Sequence, residues 1–233
     1  LKEFEPDLVG TSCMFTMTHG SLKNVCALIA KHNTPIAIGG VHVSNDVERI
    51  LDDILTASIA FLREGEISIK DFVSVVQGKL PIDNLSQVIL DDNGSRMRFL
   101  NPALPTAEDI DVLPAYSKID IGEYSTHGTI GAFYCFKPKD TKFATVLSNR
   151  GCRAQCTFCS VRNFNGPGVR QRSVSSVIDE LEILTGEHGV SHVMWLDDDL
   201  FKDHRRAIEL FNEMTKRNLP LTWDATNGVI ASS

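Results

Sequence analysis

The sequence predicts an α/β protein, with a doubly wound parallel sheet in its first part and the opening strands of a (β/α) barrel, cut short, in its second. Three observations carry this. Short apolar runs alternate with amphipathic helical stretches up to about Val76, a rhythm that builds parallel sheets because each crossover helix returns the chain to the same end. The alternation resumes at Lys142 and continues to Asp224. Between them lies a proline-punctuated acidic stretch. The boundaries expected are 1–90 for the first domain, 91–141 for a linker and 142–233 for the barrel part.

In the first domain, Pro6–Ser12 reads as a strand buried on both faces, and Leu22, Val25, Cys26, Leu28 and Ile29 recur at helical spacing. Pro35–Gly40 is a second strand ending in paired glycines. Asn45 is placed to cap a helix carrying Val47, Ile50, Leu51 and Ile54. Ala57–Leu62 is a third strand, followed by Glu64-Gly65-Glu66 and a helix with Ile67, Ile69, Phe72, Val73 and Val76. In such sheets ligands bind beyond the carboxyl ends of the strands, which here carry Thr11-Ser12, Gly39-Gly40-Val41-His42 and Arg63-Glu64-Gly65-Glu66. An ordinary tight turn at Gly39-Gly40 and an ordinary polar loop residue at His42 stand as the plainer readings.

Asp91-Asp92-Asn93-Gly94-Ser95 has hairpin-turn chemistry and joins two short strands. In the linker, Tyr116, Tyr124, His127 and Tyr134 are read first as packing anchors, with a substrate-facing role as the alternative. Beyond it, Lys142–Leu147 is a strand running into a cysteine-rich loop. Ser173 and Asp203 are placed to cap helices, and Val190–Leu196 and Leu219–Asp224 are the next strands. In a barrel the active residues gather at the carboxyl ends of the strands. The cysteine loop and Asp197-Asp198-Asp199 should therefore open on the same face. Three adjacent carboxylates cannot all be buried without a cation.

The 233 residues, 42% of them hydrophobic, can bury more than one core. A formal net charge of −7 without a basic run argues against nonspecific nucleic-acid binding. No apolar stretch reaches membrane-spanning length, and the expected compartment is the reducing cytoplasm. Because the chain opens on Leu1, on an element that reads as already inside a domain, a fragment is expected.

Chemistry concentrates in Cys152, Cys156 and Cys159. Three thiolates in one short loop want a metal or another sulfur. Three ligands on a four-iron cluster leave one iron free to hold something other than protein. Structural zinc would need a fourth ligand at finger-like spacing, and the nearest histidines, His188 and His192, lie across a helix. Cys13, Cys26 and Cys135 sit in apolar surroundings and read as buried small hydrophobes.

The Cys152-x-x-x-Cys156-x-x-Cys159 spacing, with Phe158 before the last cysteine, resembles the signature of the radical S-adenosylmethionine (SAM) superfamily. Ser12-Cys13-Met14, Gly39-Gly40-Val41-His42 and Arg63-Glu64-Gly65-Glu66 resemble the Rossmann-like cobalamin-binding domain that precedes many radical SAM domains, with its first strand missing. Met14 replaces the more usual Leu, and Arg63 stands where Gly is common. The resemblance implies a 4Fe-4S cluster on the three cysteines and SAM on its free iron, beside Phe158. It implies a SAM ammonium contact from Asp198, or second from Asp199, in the family's Asp-Asp-x-Phe form, here ending in Phe201. Cobalamin would meet Ser12, Gly39, Gly40, His42, Glu64 and Gly65. Gly166, Gly168, Arg170, Arg172 and Ser173 match an Arg-x-Arg-Ser element, in which Arg172 either meets a carboxylate or ties the cluster loop to the acidic turn. Asn227-Gly228, near the end of the third strand, is a further candidate for a cofactor contact.

The function implied is a cobalamin-dependent radical SAM enzyme, first a methyltransferase acting on an unactivated carbon through a 5'-deoxyadenosyl radical and methylcobalamin. A cyclase or oxidase without methyl transfer, and a nonenzymatic iron-sulfur or zinc redox sensor, are the alternatives. The expected partners are a small-molecule, lipid or natural-product substrate and a one-electron donor such as flavodoxin or ferredoxin.

Overall fold

The computed structural model describes residues 1, 3–128, 138 and 140–230. Within it the chain forms two compact units, Leu1–Pro105 with Asn163–Gly166, and Thr106–Arg162 with Pro167–Ser233.

The first unit holds β1 (Val9–Ser12), α1 (His19–Ala30), β2 (Ile36–Gly39), α2 (Val41–Asn45), α3 (Val47–Asp53), β3 (Ile59–Phe61), α4 (Glu66–Val76), β4 (Val88–Asp92) and β5 (Ser95–Phe99). They form one sheet in the order β1-β2-β3-β4-β5. The first three strands are parallel, as the alternation predicts. β4 runs antiparallel to β3 and pairs with β5 in a hairpin.

Alternation along the strands sends side chains to two cores, which is what makes the sheet doubly wound. Ile36, Ile38, Ala60 and Ile89 pack with Leu22, Cys26 and Ile29 of α1 and with Ile50 and Leu51 of α3. Ala37, Ile59, Phe61 and Val88 form the other core, where Phe72 of α4 meets Phe61 edge to face at 5.5 Å. Val25, Leu28, Ile69, Val73 and Val76, which fit the helical pattern, are nonetheless exposed. Cys13 and Cys26 are buried thiols, and Cys135 lies outside the described residues.

Two differences from the sequence reading have local causes. Asn45 does not cap the third helix: it ends the separate helix α2, and Asp46 takes the cap position of α3. The first unit also runs past residue 90, to Pro105, because β5 completes a ladder that β4 shares with β3. Positive φ at both Asn93 and Gly94 sets the hairpin turn. Arg96 and Arg98 of β5 then reach Glu48 of α3. Hydrogen bonds from these two arginines hold the Glu48 carboxyl down at about 2.

The second unit begins with α5 (Ala107–Ile110), started by a Thr106/Asp109 capping box, and α6 (Ile121–His127). β6 (Phe143–Val146), β9 (His192–Trp195) and β10 (Thr222–Ala225) are parallel, in the order β10-β9-β6. This is the strand-helix arrangement expected of a barrel's opening. α8 (Val174–Gly186) and α9 (His204–Lys216) are capped by Ser173 and Asp203, as their positions predict. Leu181, Leu184 and Leu210 are fully buried against Val193 and Trp195. The Ser125 hydroxyl, between α6 and β6, bonds both backbone groups of Phe143 and so covers part of an edge strand. No described helix is long and apolar enough to cross a membrane.

Leu181 shows no exposed surface. Leu181→Ala is expected to remove about 2–5 kcal/mol of stability, read as a lowered urea midpoint at unchanged slope.

Candidate cofactor sites

In the first unit, the backbone itself builds the site. The end of β1 and the turn after β2 interlock: Cys13 N–H donates to Gly39 O (2.9 Å) and His42 N–H to Cys13 O (3.1 Å). Gly40 has φ +97°, and a Cβ there would lie 2.6 Å from Cys13 O. Only glycine fits, because both the left-handed backbone and the close approach exclude a side chain. Ser12 is exposed at the end of β1, while Gly39 and Gly40 are half-buried at the end of β2. Beyond β3, Arg63 adopts φ +58°, which gives a physical reason for glycine being common there. Glu64 is buried, and Gly65 takes the cap position of α4.

His42 is buried, and it belongs to a chain of hydrogen bonds that sequence reasoning did not find. Thr16 Oγ1 lies 3.2 Å from His42 Nδ1, His42 Nε2 lies 3.1 Å from His19 Nδ1, and His19 Nε2 lies 2.9 Å from Asp53 Oδ2. A carboxylate only accepts, so the neutral pair has one consistent direction: Thr16 donates to His42, His42 to His19, and His19 to Asp53. The chain ties the loop after β1 to the turn after β2 and to the end of α3. No spacing rule links these four positions, which is why the sequence hid them.

In the second unit, β7 (Asn149–Arg150) and β8 (Arg170–Gln171) pair antiparallel. They close the base of the cysteine loop, which leads into α7 (Val161–Asn165). Gly151 has φ +93°, and a Cβ there would meet Gly168 O at 2.3 Å. Cys152 is half-buried, whereas Cys156, Cys159 and Phe158 are exposed. The Cys159 N–H donates to Cys156 O, making the tight turn that carries the last two thiols.

The acidic turn after β9 meets this loop at the same sheet end, as expected. Asp197 is buried and accepts from the Ser148 N–H (3.1 Å) and hydroxyl (2.6 Å). Burial pushes its pKa up, and the Ser148 bonds oppose that. Asp199 shows no exposed surface. Its Oδ2 accepts the Arg153 N–H (3.3 Å) and lies 3.1 Å from Arg153 Nε. Its Oδ1 is buried without a hydrogen-bond partner. Asp198 is half-buried. The cation the acidic turn requires is thus arginine: Arg153 at Asp199, and Arg206, whose charge acts on Asp197 and whose guanidinium also holds the carbonyls of Ser148 and Arg172.

The donor set fits a metal cluster with an organic cation. The Cys152 thiol is pushed up by burial first, and also by the charges of Asp199, Asp198 and Cys159; a cationic metal reverses that penalty. Among the described residues, no three His, Cys, Asp or Glu side chains converge on a single metal ion. A four-iron cluster takes each thiolate on a different iron. His192, one of the histidines weighed as a zinc ligand, is committed to Thr222 and Asp224 (both 2.9 Å), and His188 rests against Tyr116.

Arg172 does not reach the acidic turn with its guanidinium. It is buried against Glu180 of α8, with further bonds to Leu147 O and Ser176. Tyr116 donates to the same Glu180 and is a buried anchor, while Tyr124 is exposed and Tyr134 lies outside the described residues. Asn227 donates to Leu196 O and so joins the ends of β10 and β9. Ser148, Arg153 and Arg206 went unread in the sequence. Their charges and hydroxyl carry no motif, and Arg206 looks like any surface arginine of an amphipathic helix.

The fold defines a class of architecture: a Rossmann-like domain followed by the opening strands of a (β/α) barrel. Residues 1–73 match the family described as B12 binding domain. Across 98% of its length the chain is 26% identical to an uncharacterized methyltransferase of Pyrococcus horikoshii, covering 48% of that protein. It is 25% identical, over 94% of its length, to an anaerobic magnesium-protoporphyrin IX monomethyl ester cyclase of Cereibacter sphaeroides, covering 35% of it. The solved structure of the radical SAM methyltransferase TsrM from Kitasatospora setae, with cobalamin and a [4Fe-4S] cluster bound, has the same fold. That match has a TM-score of 0.72 at 19% identity, over 91% of this chain and 42% of that one. The chain therefore spans about half the length, or less, of the proteins it matches. The likeness to cobalamin-binding radical SAM enzymes that the cysteine and glycine loops carry is borne out.

Removing the Arg172 side chain would leave Glu180 buried without its cation. Arg172→Leu should cost about 3–5 kcal/mol in chemical denaturation, whereas a residue serving only a cofactor would leave the cofactor-free protein as stable as before. The buried His42 gives a pH test. Burial and the facing His19 lower its pKa, and Asp46 opposes them weakly. The fold resists the proton that the unfolded chain accepts below its ordinary pKa of about 6.5. Its contribution is therefore complete above that pH and lost as pH falls through the folded value. His42→Gln should flatten the fall of stability between about pH 7 and 5, measured as urea midpoints.

Proposed function

We propose that the protein is a cobalamin-dependent radical SAM enzyme that transfers a methyl group to an unactivated carbon. One observation carries the reading: a single chain joins a B12-binding segment to a three-cysteine loop fastened to the neighbouring strand end through Asp199. Cys152, Cys156 and Cys159 would hold a 4Fe-4S cluster. Asp199 replaces Asp198 as the first choice for the SAM ammonium, since a buried, unpartnered carboxylate oxygen gains most from a cationic donor. Phe158, exposed beside Cys159, would cover the bound nucleoside. Ser12, Gly39, Gly40, His42, Glu64 and Gly65 would frame cobalamin.

The bound groups would supply one-electron cleavage of SAM and a methyl group carried on cobalt. The protein's part is placement. Arg153 neutralises one side of Asp199 and leaves the other, buried oxygen unbonded, while the Asp197–Ser148 bonds hold the strand end that the loop leaves. The substrate is proposed to be a small molecule, lipid or natural product, the electron donor a flavodoxin or ferredoxin, and the compartment the cytoplasm. The likeness to a cyclase favours one other reading, radical ring formation without methyl transfer.

Anaerobic reconstitution with iron and sulfide should give a four-iron Mössbauer signal that Cys156→Ala diminishes, and chelation should abolish SAM cleavage. With methyl-labelled SAM, label in the product supports methyl transfer, and unlabelled product supports the cyclase reading. Recovery of zinc alone, or no four-iron species, would overturn both.

A further inference from the structure

Gln87 sits immediately before β4, and the β3–β4 register places it at the ligand end of the first sheet. Phe61 pairs with Val88, so Gln87 stands opposite Leu62, whose N–H donates to Gln87 O at 2.8 Å. β4 is antiparallel to β3. Its beginning therefore lies beside the carboxyl ends of the parallel strands, the edge that carries Ser12, Gly39-Gly40 and Arg63–Gly65.

Two features at this position are unfavourable for a residue with no task. Gln87 has φ +55° without being glycine, and Arg63, the residue after the Leu62 it faces, is also left-handed. Its side chain is 3% exposed, and both amide atoms, Oε1 and Nε2, lack a hydrogen-bond partner. A buried amide stripped of water and left unpaired destabilises a fold, and methionine in the same volume would not. Strain and unmet polar groups persist where a ligand resolves them.

We infer that Gln87 is a binding residue for the nucleotide-bearing arm of a corrinoid. The inference rests on the cobalamin reading proposed above. A carboxamide offers one acceptor and two donors, which suits the hydroxyl and phosphate oxygens of a nucleotide. The depth of the residue favours the arm over the ring: a side chain 3% exposed would not meet a disc lying across the edge, whereas an arm passing between the strand-end loops could reach its amide.

The test is a pair of titrations on the intact protein, with aquacobalamin and with cobinamide, which has the corrin ring but no nucleotide. Gln87→Met should raise the thermal midpoint of the cofactor-free protein while weakening aquacobalamin binding about tenfold or more, the loss of one or two buried hydrogen bonds. Cobinamide should bind wild type and variant alike. Equal aquacobalamin affinity in wild type and Gln87→Met overturns the inference and leaves the cobalamin reading standing. An equal loss for cobinamide places the contact on the ring and also overturns it. Wild-type protein that binds no aquacobalamin removes both. Should Gln87→Met fail to fold, Gln87→Glu at pH 8 serves in its place: a carboxylate facing a phosphate should weaken aquacobalamin selectively, and unchanged selectivity over cobinamide counts against the inference.

Discussion

The second unit depends on two buried carboxylates at the end of β9. Asp197 takes both the backbone and the hydroxyl hydrogen of Ser148, and Asp199 takes the backbone and guanidinium of Arg153. Ser148 and Arg153 flank the start of the cysteine loop, so these contacts fasten the loop to a strand it does not follow in sequence. A ligand loop fixed at only its own ends would hold its thiols no better than its backbone allows. Here the neighbouring strand supplies a second anchor. Charge decides how that anchor can exist: two buried acids beside three thiols repel each other, and Arg153 and Arg206 offset them.

The first unit solves a different problem with backbone alone. Its ligand edge is made of turns that ordinary residues avoid, with Gly40, Arg63 and Gln87 all at positive φ. Each left-handed non-glycine residue costs of order 1 kcal/mol or more, so the edge is held in place by the rest of the sheet. The two cores on its faces provide that hold. The Thr16–His42–His19–Asp53 chain adds a polar tie between two of the loops.

Much of this was legible in the sequence, and the reasons differ by residue. The parallel strands announced themselves because strands buried on both faces must be apolar throughout, as Ile36-Ala37-Ile38 is. The helix starts at Ser173 and Asp203 were readable because a cap is a local contract between one side chain and the next turn. Cys152, Cys156 and Cys159 stood out because three thiols within eight residues form a pattern by themselves. Residues whose role depends on distant parts of the chain were not. Arg153 owes its role to Asp199, forty-six positions on, and His42 owes its environment to His19 and Asp53. Arg172 was legible only in part for the same reason: a sequence offers an arginine to some carboxylate, and only the fold shows that Glu180 is the one.

Two of the buried side chains with unmet hydrogen-bonding atoms lie where the cofactors are proposed to bind. Asp199 Oδ1 lies by the cysteine loop, and the Gln87 amide lies at the ligand edge of the first sheet. Each such group costs on the order of 1–3 kcal/mol when left unpaired, a substantial fraction of a domain's net stability of about 5–15 kcal/mol. Left so, they weaken the cofactor-free protein. A ligand that supplies the missing partners binds the folded chain and not the unfolded one, and thereby returns that stability by mass action. The ammonium proposed for the first group would answer it, since it only donates and carries the opposite charge. The second needs a ligand that both donates and accepts. Under the two binding roles proposed above, each guest would return to the folded chain a part of the stability that its unmet group gives up.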